Sequence, residues 1–279
     1  MSRVVCVGLA TEDTVFPVPR HPQPDDRVLA DDVTVAGGGP AGTAAVALAR
    51  LGVETLFVGA VGDDETGAFI RESLEREGVD VSELRVVPGA RSPRSTILVG
   101  DGTRAIVAFR GDLPPLALGE QARELCRGAA WVHVDHTGYA VVDELRGAAR
   151  VSIDGGNPIE DLDLRGVALY APTETALRTQ LGDARGALDA GAELVVVTRG
   201  ERGSCAYTRE GETIEAAAAP VDAVSTLGAG DVFHGALLAC LVRGLPLPAA
   251  LVRANACAAM SCRALDGRSA IPGWDELAA

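Results

Sequence analysis

The chemistry of this chain concentrates in Ser225-Thr226-Leu227-Gly228-Ala229-Gly230-Asp231, which runs directly into the apolar stretch Val232 to Val242. Gly228 and Gly230 let the backbone turn sharply and approach a ligand closely, so that consecutive N–H groups and the positive end of the following helix face an anion. A carboxylate in the first turn repels a phosphate held there. Asp231 therefore makes sense as a base that takes a proton from an attacking hydroxyl while the amides of Gly228, Ala229 and Gly230 hold the transferring group. The plainer role for the same residue is helix capping. His234, one turn on, is placed to tune that base or to pack the helix. His136, after Asp135 at an expected strand end, is placed to meet a ligand or to lie at the surface.

What handles phosphate here has to do so without lysine. All 25 basic residues are arginine, which excludes a Walker A loop, a Schiff base and the lysine that protein kinases place on their phosphates. Backbone amides, Arg and metal remain. The formal net charge of -14 argues against nucleic acid and anionic membranes as partners and leaves small molecules.

The elements that must position these residues follow from composition and pattern. A chain of 279 residues, 47% hydrophobic but with only five Phe, three Tyr and two Trp, builds its core from Val, Leu and Ala, the composition of a parallel sheet under helices. Val4 to Val7, closed by Gly8, reads as a buried first strand rather than a signal peptide, and no run of 18 apolar residues follows, so the cytoplasm is the expected location. The six cysteines are scattered without a Cys-x-x-Cys pair and read as reduced core thiols.

An Ala-rich helix is expected over Thr43 to Leu51, a strand over Glu54 to Val58 and a helix over Glu65 to Glu77. Strands follow at Trp131 to Val134, Val151 to Ile153, Val167 to Tyr170 and Leu194 to Thr198, with helices between them. That rhythm predicts an α/β fold with a doubly wound, mostly parallel sheet flanked by helices. It is interrupted by Ser95–Val99 and Thr103–Phe109, a hairpin turning at Asp101-Gly102. With residues 14–36 this hairpin forms an expected small β-lid. The division is then 1–13, 37–93 and 113–279 for the main domain, and 14–36 and 94–112 for the lid. The lid's strand edges favour a homodimer.

Gly37-x-Gly39-x-x-Gly42 matches the dinucleotide fingerprint, but the strand before it is short and no acidic ribose ligand ends a strand about 20 residues on. The two glycine clusters together instead resemble the ribokinase (PfkB) family of sugar kinases. Gly38-Gly39 through Ala49-Arg50-Leu51-Gly52 resembles its N-terminal signature, and Thr226 to Asp231 its C-terminal one. Val197-Thr198-Arg199-Gly200 with Gly203 resembles its nucleotide-side strand and turn, and Ala254-Asn255-Ala256 with Ser269-Ala270-Ile271-Pro272 its closing helix and tail.

That resemblance implies ATP and Mg2+ as cofactors, Asp231 as catalytic base, and Gly228, Ala229 and Gly230 as the anion hole. It implies Asp13 on the sugar hydroxyls, with Gly38, Gly39 and Thr43 against the sugar. Thr198, Gly200, Gly203, Thr226 and Asn255 would line the nucleotide. Arg27, Arg94 and Arg104 in the lid are placed to hold an anionic sugar substituent or to be solvated. Ser225 stands where the family usually has an Asp associated with a monovalent cation, and Thr173 and Ala176 occupy its Asn-x-x-Glu motif, so the need for a monovalent ion and the metal ligands are left open. Thr226-Leu227-Gly228 and Val232-Phe233-His234-Gly235 resemble ketohexokinase-like and sulfofructose-kinase-like branches, which points to a ketose. A nucleoside or sugar-phosphate kinase, a non-catalytic sugar-binding protein and a flavin or nicotinamide oxidoreductase are the other readings.

Overall fold

The computed structural model describes residues 3–278; Met1 and Ser2, expected to lead into the first strand, and Ala279 lie outside the described residues. Thirteen strands are found there: β1 Val4–Val7, β2 Thr11–Pro17, β3 Thr34–Gly38, β4 Thr55–Gly62, β5 Asp80–Val87, β6 Arg94–Gly100, β7 Thr103–Phe109, β8 Trp131–Val134, β9 Val151–Gly155, β10 Leu169–Pro172, β11 Leu194–Thr198, β12 Ser204–Thr208 and β13 Thr213–Ala216. The helices are α1 Pro40–Arg50, α2 Glu65–Arg76, α3 Glu120–Arg127, α4 Val142–Leu145, α5 Glu174–Leu181, α6 Ala184–Asp189, α7 Ala229–Val242, α8 Leu247–Ser261 and α9 Trp274–Ala278.

The large sheet runs β13-β12-β11-β10-β9-β8-β1-β4-β5 and is parallel from β11 to β5, with an antiparallel hairpin at the β13 edge. This is the expected doubly wound α/β architecture. Strand order reverses at β1, which pairs with both β4 and β8. In such sheets the crevice beyond the carboxyl ends of the strands at that reversal is where ligands bind. One core layer joins α1, α7 and α8 to one face of the sheet, and a second layer joins α3, α5 and α6 to the other. Both are built from Val, Leu and Ala, and all six cysteines are buried free thiols. Helix α7 is buried without a break from Val232 to Cys240, which is why its sequence is apolar all round. No helix among the described residues is long and apolar enough to cross a membrane.

Helix α1 starts at Pro40, three residues before the expected Thr43, because proline at the first helical position needs no N–H partner. The small sheet runs β3-β2-β6-β7 and contains the hairpin turning at Asp101-Gly102. It also takes in Thr11, Glu12, Asp13, Gly37 and Gly38, so Asp13 and Gly38, which the resemblance places against a sugar, are carried by this sheet. Its register places Ala36, Asp13, Ser95 and Ala108 in one row across the four strands. Alternation along β7 puts Arg104 and Ile106 on the same face as Ala108.

The two sheets are tied at the reversal point by one carboxylate. Asp135, just past β8, accepts from the amides of Leu9 (2.8 Å) and Ala41 (3.2 Å) through Oδ2, and from those of Thr137 (2.8 Å) and Gly138 (2.9 Å) through Oδ1. It thereby joins the β1–β2 junction, the start of α1 and the end of β8.

Candidate active site

Gly228 is the N-cap of α7, with a left-handed φ of 71° and Gly267 packed 3.0 Å from where a Cβ would stand. Only glycine fits both conditions. The N–H groups of Gly228, Gly230 and Asp231 have no protein acceptor among the described residues, and a Cβ at Gly230 would meet nothing within 4 Å. Unpaired amides at the head of a long buried helix, beside open space, form a cradle for an anion. Leu227 N–H donates to Ser225 Oγ at 3.2 Å, which shapes the turn before it.

Asp231 is half-buried in the first turn of α7. Its carboxyl is pushed up to about 8, first by burial and then by the negative charge of Asp154, with His234 opposing and Asp135 adding to the rise. Asp154 on β9 and His234 are both buried, with His234 Nδ1 3.3 Å from Asp154 Oδ2. Burial alone would raise Asp154, but the neighbouring imidazole holds it down to about 2, and the pair reads as carboxylate and imidazolium. His133 on β8 pairs across to Ser152, with Nδ1 3.1 Å from its hydroxyl, and burial then His234 push it down to about 3, so it is neutral. The donor atoms of His133, Asp154 and His234 lie within 4.8 Å of one another. The role left open for His234 is thus electrostatic as well as packing. His136 is half-buried next to Asp135.

Across the crevice, Asp13 on β2 is buried and accepts a hydrogen bond from Thr11 Oγ1 at 2.7 Å. Burial raises its carboxyl, while the Thr11 hydroxyl, the Arg268 charge and the Ser95 hydroxyl act the other way. A Cβ on Gly38 would overlap Asp13 Oδ2, and one on Gly39 (φ 85°) would stand 2.6 Å from Leu9 O. Thr43 is buried on α1, where its hydroxyl accepts from Arg268 Nε at 3.2 Å. Asp13, Gly38, Gly39 and Thr43 are therefore gathered in one place. Arg268 is a functional candidate that the sequence did not disclose, since nothing in Asp266-Gly267-Arg268-Ser269 signals contact with residues more than 200 positions away.

The dinucleotide reading of Gly37-x-Gly39-x-x-Gly42 falls with this geometry. β3 belongs to the small antiparallel-edged sheet and not to a parallel βαβ unit, and the bare positions at Gly37 and Gly42 are occupied by the Arg268 guanidinium.

The lid arginines separate. Arg104 Nη1 donates to Thr226 Oγ1 at 2.7 Å, bridging the small sheet to the turn before the anion cradle. Arg94 binds the Thr66 hydroxyl at the start of α2. Arg27 is exposed on the long loop between β2 and β3, and its side chain makes no hydrogen bond or ion pair among the described residues.

Of the residues expected to line a nucleotide, Thr198 ends β11 and bridges to Thr173, with Gly200 (φ 58°) opening a short 3-10 turn that leaves open space at its Cβ position. Gly203 has φ 83°, and a Cβ there would stand 2.5 Å from Ala218 N. Asn255, buried on α8, donates its amide to Ala216 O (3.0 Å) and Ala217 O (3.1 Å). It holds the strand-to-loop exit of β13, and so shapes this side from behind. Thr173 caps α5 by accepting from Ala176 N at 3.1 Å, and Ala176 offers no ligand atom. The neighbouring carboxylate, Glu174, pairs with Arg202 Nη2 at 2.5 Å.

Comparison with known proteins agrees over the whole length. The model of the pfkB family carbohydrate kinases matches residues 1–150 and 169–273. The ATP-dependent ribose-1-phosphate kinase of Halopiger xanaduensis is 32% identical, covering 100% of this chain and 98% of the relative. The fructokinase of Klebsiella pneumoniae is 32% identical, covering 86% and 90%. The structure of Arabidopsis thaliana ribokinase complexed with ribose and ATP superposes with a TM-score of 0.85 at 23% identity, covering 99% of this chain and 97% of that one.

Proposed function

Because the chain belongs to the PfkB family of carbohydrate kinases and is thereby an ATP-dependent sugar kinase, we propose that it transfers the γ-phosphoryl group of ATP to a primary hydroxyl of a small ketose held between the small sheet and the α7 cradle. The observation that carries this reading is the placement of Asp231 beside three unpaired amides at the head of a buried helix. Asp231 takes the hydroxyl proton as the oxygen attacks. The amides of Gly228, Gly230 and Asp231 and the helix end stabilise charge on the transferring group, a preorganised arrangement that gains strength as water is excluded, whereas the expected Ala229 amide is turned to Thr226 O at 3.4 Å.

The cation that lysine provides elsewhere is assigned to Arg104, which already reaches Thr226 from the small sheet. Asp13 orients the sugar through its hydroxyls, with Gly38 and Gly39 allowing close approach. Thr198, Gly200 and Gly203 border the nucleotide, and Asn255 holds that border in place. Mg2+ bound with ATP supplies counter-charge to the phosphates. The donor set fits an ion carried by ATP oxygens and water, because Thr173 is committed to its helix cap and Glu174 to Arg202.

The ketose assignment rests on Thr226-Leu227-Gly228 and Val232 to Gly235. The names of the relatives span ribose 1-phosphate and fructose, so acceptor choice is tested directly. ADP release from Mg-ATP is measured with fructose, sulfofructose, fructose 6-phosphate, ribose, ribose 1-phosphate and adenosine. Preference for fructose or sulfofructose supports the assignment, and preference for ribose 1-phosphate or adenosine overturns it.

We also infer a homodimer through the small sheet. Its outer face exposes Val35 on one edge strand and Val107 on the other, in a single row with Thr14 and Thr96. Sedimentation of the protein against a Val107→Asp variant tests this.

A further inference from the structure

We propose that Arg268 is the positioning residue of the sugar site: its guanidinium clamps the end of β3 to α1 and is the cation that faces the carboxylate of Asp13. The proposal rests on the sugar-kinase reading above and assigns a residue to it that neither glycine signature contains.

Arg268 is only 5% exposed. Nη2 donates to Gly38 O at 2.6 Å and Nε to Thr43 Oγ1 at 3.2 Å, so one planar fork joins the last residue of β3 to the first turn of α1. β3 is an edge strand, and the guanidinium takes the place of a neighbouring strand at the Gly38 carbonyl. Nη1 is buried with no partner. It lies where a Cβ on Gly37 would stand, and Nη2 would be 2.7 Å from a Cβ on Gly42. Gly37 and Gly42 are bare to admit Arg268, just as Gly38 is bare to admit Asp13. Three glycines of one hexapeptide thus make room for two buried charged side chains, Arg268 and Asp13.

The seat is itself built. Arg268 N and Ser269 N both donate to Asp266 Oδ1 at 2.7 Å. Arg50 Nη1 donates to the carbonyls of Arg268 (2.8 Å), Ser269 (3.2 Å) and Ile271 (3.0 Å), while its Nε and Nη2 grip Glu77 at 2.6 and 2.7 Å. The groups facing Asp13 are the Thr11 hydroxyl on its own strand, the Ser95 hydroxyl on β6, and Arg268 and Asp266 from the C-terminal segment. Those facing Arg268 are Asp13, Glu77, Asp231 and Asp266. Burial lowers the guanidinium to about 10, which leaves it charged at neutral pH. An isolated carboxylate as buried as Asp13 would favour its protonated form, and a protonated Asp13 loses its acceptor strength toward sugar hydroxyls.

The test compares wild type, Arg268→Gln, Arg268→Lys and Asp13→Asn in steady-state kinetics from pH 5 to 9, together with NMR titration of 13C-labelled aspartate carboxyls, the Asp13 signal being identified by its loss in Asp13→Asn. Arg268→Gln is expected to raise KM for the sugar by about tenfold, leave KM for ATP within about twofold, and move the Asp13 titration upward. Arg268→Lys keeps the charge without the fork, so the titration returns toward wild type while the sugar KM stays raised. If Arg268→Gln does not fold, Arg268→Lys alone carries the test through that split. An Asp13 titration and a sugar KM both unchanged in the variants overturn the proposal, as does a parallel loss of both KM values in proportion to lost thermal stability. The titration needs no turnover, so it stands even if no tested sugar is phosphorylated.

Discussion

Replacing Asp231, the proposed base, by its neutral isostere should make the protein more stable, and increasingly so as pH rises. Asp231 is displaced from 3.8 to about 8 by burial and by Asp154, with His234 opposing and Asp135 adding. Because its folded pKa is raised above the unfolded value, the folded state holds the proton more tightly. Stability is therefore full below pH 4 and declines as pH rises through 8. At about 1.4 kcal/mol per pH unit the displacement sets a ceiling of roughly 6 kcal/mol above pH 8. Asp231 is half-buried, so solvent screening reduces this to about 2 kcal/mol. For a chain of this size that is roughly 4–8 °C in Tm. Thermal unfolding of wild type and Asp231→Asn at pH 5 and pH 8.5 reads the effect, with a small gap at pH 5 and the variant several degrees higher at pH 8.5. A gap that does not change with pH, or a variant less stable at pH 8.5, would refute the electrostatic reasoning. A stabilised inactive variant is the expected signature of a carboxylate kept for chemistry against its own solvation.

Three further outcomes follow from the geometry. Arg104→Ala removes the side chain that spans from the small sheet to Thr226, and kcat should fall about tenfold or more in a coupled kinase assay, with the fold intact by circular dichroism. Gly38→Ala drives a Cβ into Asp13 Oδ2, so sugar-dependent turnover should be lost while ATP binding, measured by calorimetry, is kept. Asn255→Ala leaves the Ala216 and Ala217 carbonyls without their donor; the expected loss is about 1–3 kcal/mol of stability in urea unfolding, with KM for ATP rising more than KM for sugar.

Much of this architecture was written in local pattern. Trp131–Val134 and Leu194–Thr198 are predominantly apolar runs of strand length, and their bounds are the observed ones. The hairpin at Asp101-Gly102 was legible because both turn residues have positive φ, a conformation that Asp and Gly tolerate. β5 escaped notice because it is an edge strand whose apolar pattern is broken by Asp80, Glu83 and Arg85, right after the helix stop at Gly78. In the site, Gly228 to Asp231 announced themselves because a cradle made by consecutive residues is a local object. Asp13 was identified only by family likeness, since its partners Ser95 and Arg268 come from distant segments. Arg268 and Asp154, the partner of His234, left no signal in the sequence, for the same reason: a buried charge is explained by what surrounds it in space, and its surroundings come from separate stretches of chain.

The most direct measurement is the pH dependence of sugar phosphorylation by wild type and Asp231→Asn at saturating Mg-ATP. The account predicts that wild-type kcat/KM for the sugar rises with pH toward a plateau above the raised Asp231 value of about 8, and that Asp231→Asn is slower by about 10²–10⁴-fold with that rise abolished. Full turnover in Asp231→Asn, or a wild-type profile flat across pH 6 to 9, would contradict Asp231 as the base.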